Sequence, residues 1–192
     1  HFTNSIDALL DCDCIFILCP SKFHFKYLKY FNDKKYSGYI FCEKIPVVNE
    51  KELKNLSRFV NGKTYFNFNL RHSYLNKFLN FKKFGKLLYL NVVETKPYLN
   101  IKNLSRNWRI NSRSTLVTNV LSHYIDLILY SFCKKIIINK ISYLKINKKF
   151  KLIDNIALSL STKKTIFNFF ISYNSVLSRS IEFYFEKGKI EI

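Results

Sequence analysis

Glu43-Lys44-Ile45-Pro46 directly follows an apolar run, so a carboxylate and an ammonium sit where a buried strand ends. The C-terminal edge of a parallel sheet is where α/β folds place their ligands. An ammonium there can donate to a substrate hydroxyl or a cofactor amide, with Glu43 holding it. The same four residues also read as an exposed ion pair in a strand-to-helix loop. Asn119, His123 and Asp126 fall at i, i+4 and i+7 and share one face of a helical pattern. Histidine exchanges protons near neutral pH, so that face is a candidate acid–base site; an amphipathic helix with a solvated stripe has the same pattern. His24, four residues after Pro20, reads by itself as a helix-start residue facing solvent. Arg71 and His72 fall at a change in character of the chain, either lining a cleft or forming a polar hinge.

Other chemistries find little support. Cys12, Cys14, Cys19, Cys42 and Cys133 have no repeated spacing and lack the paired arms of a zinc site. They read as thiols of a reducing compartment, with no metal expected. Gly38, Gly62, Gly85 and Gly188 are too dispersed for a phosphate-binding loop, and there is no G-x-S-x-G nucleophile elbow.

The elements that must hold these residues follow from the apolar pattern. The runs over 14–19 and 39–42 are continuous, as in strands buried on both faces, and 64–70 reads as a third strand. A helix over 22–31 and another opened by Asn49 and Glu52 in a capping box separate them. Strand–helix–strand–helix–strand with short connections predicts right-handed βαβ units and a parallel sheet. After Arg71 come a helix over 73–84 closed by Gly85, a strand over 87–93, a polar loop over 96–113 and a helix over 115–133. Four strands then follow in succession, over 135–144, 150–160, 165–173 and 180–185. That order predicts an α+β domain with a mostly antiparallel or mixed sheet. The fold class is thus α/β: an incomplete Rossmann-type parallel sheet over 1–70, then an α+β domain over 71–192.

The chain has 192 residues, enough for one ordinary domain or two small ones. It is 48% hydrophobic and 17% aromatic, which excludes a disordered tail. Its 32 Lys and Arg against 13 Asp and Glu give +19, a balance that favours anionic partners such as nucleic acid. The lysines are spread in pairs along the chain and form no block, so nucleic acid is the lesser expectation. No basic n-region precedes an apolar core at the start, and the most apolar stretch carries Asn119, His123 and Asp126, against a membrane span. A cytoplasmic location is expected. The chain has no Met and begins at His1, which reads as a start lost upstream.

The motifs, taken in order, resemble the Gfo/Idh/MocA oxidoreductases. Asp13-Cys14-Ile15-Phe16-Ile17-Leu18-Cys19-Pro20-Ser21 with His24 is similar to that family's D-x-V-x-I-x-T-P-x-x-x-H strand and turn. Phe41-Cys42-Glu43-Lys44-Ile45-Pro46 resembles its C-E-K-P signature, with Ile45 inserted. Phe68-Asn69-Leu70-Arg71 resembles the end of its nucleotide-binding domain, and Phe84-Gly85-Lys86-Leu87 the entry to the second. Trp108-Arg109 matches the tryptophan loop, and the stretch from Leu116 to Asp126 resembles G-x-L-x-D-x-G-x-H-x-x-D, with Asn119 in place of Asp.

The resemblance implies hydride transfer between NAD or NADP and a sugar, nucleotide-sugar or cyclitol hydroxyl. It implies Lys44, His123 and Asn119 as catalytic groups, with Lys44 and His123 facing one cleft. Pro20, His24, Glu43 and Lys44 would line the cofactor, and Arg71, Trp108 and Asp126 would contact substrate. It also implies that the dinucleotide fingerprint precedes His1, that the second sheet is incomplete after Ile192, and that copies associate through that sheet. A basic nucleic-acid-binding or ribosomal-type protein and a non-catalytic relative of the same fold are the alternatives.

Overall fold

The computed structural model describes residues 4–97, 116–148 and 151–192. It comprises two compact units, His1–Phe68 and Asn69–Ile192.

In the first unit, β1 (Cys14–Ile17), β2 (Tyr39–Glu43) and β3 (Thr64–Asn67) form a parallel sheet in that order, with Cys14 beside Tyr39 and Ile40 beside Thr64. The connections carry α1 (His24–Asp33) and α2 (Glu50–Leu56). Asn49 caps α2 as its spacing predicts: its side chain accepts from Glu52 N at 2.9 Å. The Glu52 carboxylate reaches back to Val48 N at 2.8 Å, one residue before the cap.

The expectation that the strands are covered on both faces is corrected. Ile15, Ile17, Ile40 and Cys42 are buried with Leu28 and Phe31 of α1. The opposite face carries Phe16, Phe41 and Tyr65, all exposed, with Phe16 at 65%. These rings stack across the strands with centroids 5.2 Å apart at both steps. A continuous apolar run shows that both faces repel water. It does not show that the chain supplies both covering layers.

The second unit packs α3 (Tyr74–Leu79) and α4 (Ser122–Ser131) on one face of a six-stranded sheet. Its strands are β4 (Leu87–Thr95), β5 (Ile137–Leu144), β6 (Asn155–Ser161), β7 (Ile166–Ser172), β8 (Ser178–Phe185) and β9 (Gly188–Glu191), in the order β5-β6-β7-β4-β8-β9. β4 runs parallel to β7, and every other pair is antiparallel, so the sheet is mixed as expected. Period-two alternation sends Leu90, Val92, Phe167, Phe169, Ile171 and Phe183 into the core. The short β9 was not expected. It returns through Glu186-Lys187, a turn without an Asn-Gly or Asp-Gly signal, and a Cβ on Gly188 would meet the Phe84 ring at 2.7 Å.

The helix expected over 115–133 begins, among the described residues, with a π turn over Val117–Leu121 before α4. Such a turn takes up one extra residue, which loosens the α-helical alignment between Asn119 and His123. Among the described residues, no helix is long and apolar enough to cross a membrane.

Candidate active site

In the first unit, the loops leaving β1 and β2 meet at the C-terminal edge of the sheet. Lys44 leaves β2 half-buried, and the peptide bond between it and Ile45 is cis. Glu43 lies beside Asn67 in the sheet register and accepts from that residue's amide. Its recorded partner is therefore the last residue of β3.

His24 departs most from its reading as an isolated residue. It is 1% exposed, not solvent-facing. Its Nδ1 lies 2.7 Å from the carbonyl of Ile45, and its Nε2 lies 2.7 Å from the carbonyl of Cys19. Both polar atoms of the ring are engaged by the main chain, so His24 shapes the loops where direct contact with a cofactor was expected. Pro20 precedes the 3-10 turn Ser21–Phe23 and accepts from Phe23 N at 2.9 Å.

Burial, then neighbouring Cys19 and Glu43, pushes the Cys42 thiol up to about 12. Cys42 is buried, whereas Cys12 is exposed. A thiol that is both enclosed and protonated is a poor nucleophile. With Ellman's reagent we expect Cys12 to react in the native chain and Cys42 only after unfolding. Prompt native labelling of Cys42 would contradict this burial.

In the second unit, His123 stands in the first turn of α4, just after the π turn that holds Asn119. The neighbouring Ser122 hydroxyl donates to the Thr118 carbonyl at 2.7 Å. His123 is half-buried, with its Nδ1 enclosed by protein. Asp126, one turn on, accepts from Arg71 twice: Nε to Oδ2 at 2.7 Å and Nη2 to Oδ1 at 2.6 Å. The Arg71 guanidinium also lies 4.6 Å from the centroid of the Tyr130 ring. Arg71 and Asp126, expected as substrate contacts, thus bind each other and tie the 3-10 turn Asn69–His72 to α4. Trp108 lies outside the described residues.

One polar group here was not anticipated. Tyr124, buried beside His123 in sequence, donates its hydroxyl to Glu94 at the end of β4 at 2.9 Å. Lys96 pairs with Glu94 at 2.8 Å, and Arg179 donates to the Tyr124 hydroxyl at 3.3 Å. Burial alone would raise the Glu94 carboxyl, but Lys96, Tyr124 and Arg179 together hold it below the usual range. Burial and then Glu94 push the Tyr124 hydroxyl up to about 12. No spacing rule links positions 94, 124 and 179; only the β4–β8 pairing and the packed helix do. Among the described residues, no group of three His, Cys, Asp or Glu could hold a metal ion.

No protein-family model matches the sequence, and no curated protein matches it either. Solved structures do share the fold. An oxidoreductase from Agrobacterium radiobacter, crystallised with NAD+, L-tartaric acid and magnesium, superposes with a TM-score of 0.80 at 14% identity, covering 97% of this chain and 58% of that one. The myo-inositol 2-dehydrogenase of Lactobacillus plantarum gives 0.80 at 17% identity, covering 99% of this chain and 61% of that one. A myo-inositol dehydrogenase from Corynebacterium glutamicum gives 0.79 at 16%, with 99% and 60% covered. At these identities the likeness shows a shared fold, the one the Gfo/Idh/MocA resemblance implies. The chain spans about 60% of the length of these structures.

Proposed function

We propose that this chain is part of an NAD- or NADP-dependent oxidoreductase that transfers hydride to or from a hydroxyl-bearing carbon of a sugar or cyclitol. The observation that carries the reading is Lys44, half-buried at the C-terminal edge of a parallel sheet. The fold is shared with an oxidoreductase crystallised with NAD+ and with two inositol dehydrogenases.

The described residues fit one end of the cofactor. Glu43, Lys44 and the Pro20 turn offer an acceptor, a donor and a main-chain surface at the sheet edge, suited to a nicotinamide amide. Among the described residues there is no glycine-rich cradle for a pyrophosphate. When bound, the dinucleotide supplies the hydride acceptor or donor. Lys44 donates a hydrogen bond to the reacting oxygen and stabilises the charge that gathers there. In the second unit, His123 is the group assigned to proton transfer, with Asn119 as the amide that orients its ligand. The test is dinucleotide reduction by the longer protein that carries this chain, followed at its absorbance, over a panel of polyols and cyclitols. Turnover of none of them with either dinucleotide would remove the reading.

The open face of the second unit's sheet favours association of two copies. Lys140, Ser159, Asn168, Asn91 and Glu182 lie side by side in register, one from each of five strands. The row is cationic at one end and anionic at the other. Two copies stacked face to face about an axis along the strands would set Lys140 of one over Glu182 of the other. Sedimentation velocity should detect a dimer that Lys140→Glu weakens. A chain monomeric at every concentration would oppose this arrangement.

A further inference from the structure

His24 is the first residue of α1, Cys19 lies in the loop leaving β1, and Ile45 lies in the loop leaving β2. One buried ring therefore ties three segments of the first unit at the sheet edge. Both its contacts are with main-chain carbonyls, at 2.7 Å each. A carbonyl oxygen only accepts, so the ring nitrogen that carries the hydrogen donates to its carbonyl, and the ring fills the space between the two loops. Around it, burial raises the thiols of Cys19 and Cys42, and Glu43 is engaged by Asn67. Pro46, the next residue of the loop, has no N–H with which to anchor the segment. The Ile45 carbonyl is thus one handle by which the loop carrying Lys44 is held.

We propose that His24 is a positioning residue for Lys44: seated between the carbonyls of Cys19 and Ile45, its buried ring fixes the loop after β2 against the loop after β1. The proposal rests on the reading of Lys44 as the group that meets the reacting oxygen. His24 itself touches no reacting atom in this scheme. It acts on the reach and direction of the Lys44 ammonium.

Two measurements need no activity. Nitrogen-15 NMR of the histidine rings in the full chain should find a hydrogen-bonded, slowly exchanging ring N–H on His24; a ring that exchanges freely with water would overturn the clamp. Competitive acylation of lysines, read by peptide mass spectrometry, should show a severalfold change at Lys44 in His24→Phe, while Lys54 and Lys63 keep their parental reactivity. Unchanged Lys44 reactivity would overturn the proposal. Circular dichroism checks that His24→Phe folds; where it does not, His24→Gln, which keeps a donor for one carbonyl, is used and should fall between parent and Phe.

With activity in hand, His24→Phe should lower kcat about tenfold or more with little change in the dinucleotide KM. In a Lys44→Ala background it should remove almost nothing further, as expected for residues acting through one another. Additive losses would mark His24 as merely structural. Should Lys44→Ala alone leave turnover intact, the oxidoreductase roles fall, and the acylation result still decides whether His24 holds Lys44.

Discussion

Replacing Lys44 with alanine should lower kcat for dinucleotide-dependent polyol oxidation by about two to three orders of magnitude, with a much smaller change in dinucleotide KM. The ammonium is worth most where charge grows during reaction, on the oxygen that becomes a carbonyl or an alkoxide. A donor of that kind stabilises the transition state more than the ground state, so its loss falls on turnover. Lys44→Arg should rescue little, because a planar guanidinium cannot reproduce a compact ammonium on a flexible stem. Steady-state kinetics at saturating dinucleotide decides the matter. A variant retaining parental kcat would take Lys44 out of the chemistry.

Arg71→Ala should destabilise the second unit by about 2–3 kcal/mol, seen as a lower urea midpoint at unchanged slope. The Asp126 side chain is 16% exposed and Arg71 30%, so truncation leaves a mostly enclosed carboxylate without its bidentate partner. The larger part of the loss is that stranded charge. Arg71→Ala with Asp126→Ala should therefore cost less than the two single changes added together. His123 is one helical turn from Asp126, so the loosened α4 should also lower turnover. A double variant whose loss equals the sum would mean that the ion pair holds nothing.

Much of this arrangement can be read from residues alone. Ile15, Ile17, Ile40 and Cys42 alternate with Phe16 and Phe41 in runs without a polar break, which points to parallel strands. Asn49 with Glu52 marks the start of α2, and Lys44 follows β2 by adjacency. Pairings distant in sequence are hidden. Arg71 and Asp126 are 55 residues apart, and no local pattern distinguishes two partners from two ligands. His24 reads as exposed because a histidine at a helix start usually is. Its burial depends on carbonyls at positions 19 and 45 that any sequence would supply. The π turn before α4 leaves no trace in a pattern counted at 3.6 residues per turn.

The two units carry separate apolar clusters of unequal size. The first gathers Ile15, Ile17, Leu28, Phe31, Tyr36, Ile40 and Cys42, whereas the second runs from Leu75 to Phe185 across β4, β6, β7, β8 and both helices. Heat capacity and melting enthalpy scale with the surface a cooperative unit buries, so the larger cluster carries the larger share of both. We expect calorimetry to resolve a minor and a major transition, one for each cluster; a single two-state peak would show that they melt together. The loop carrying Lys44 belongs to the unit of the smaller cluster, so its geometry follows the minor transition.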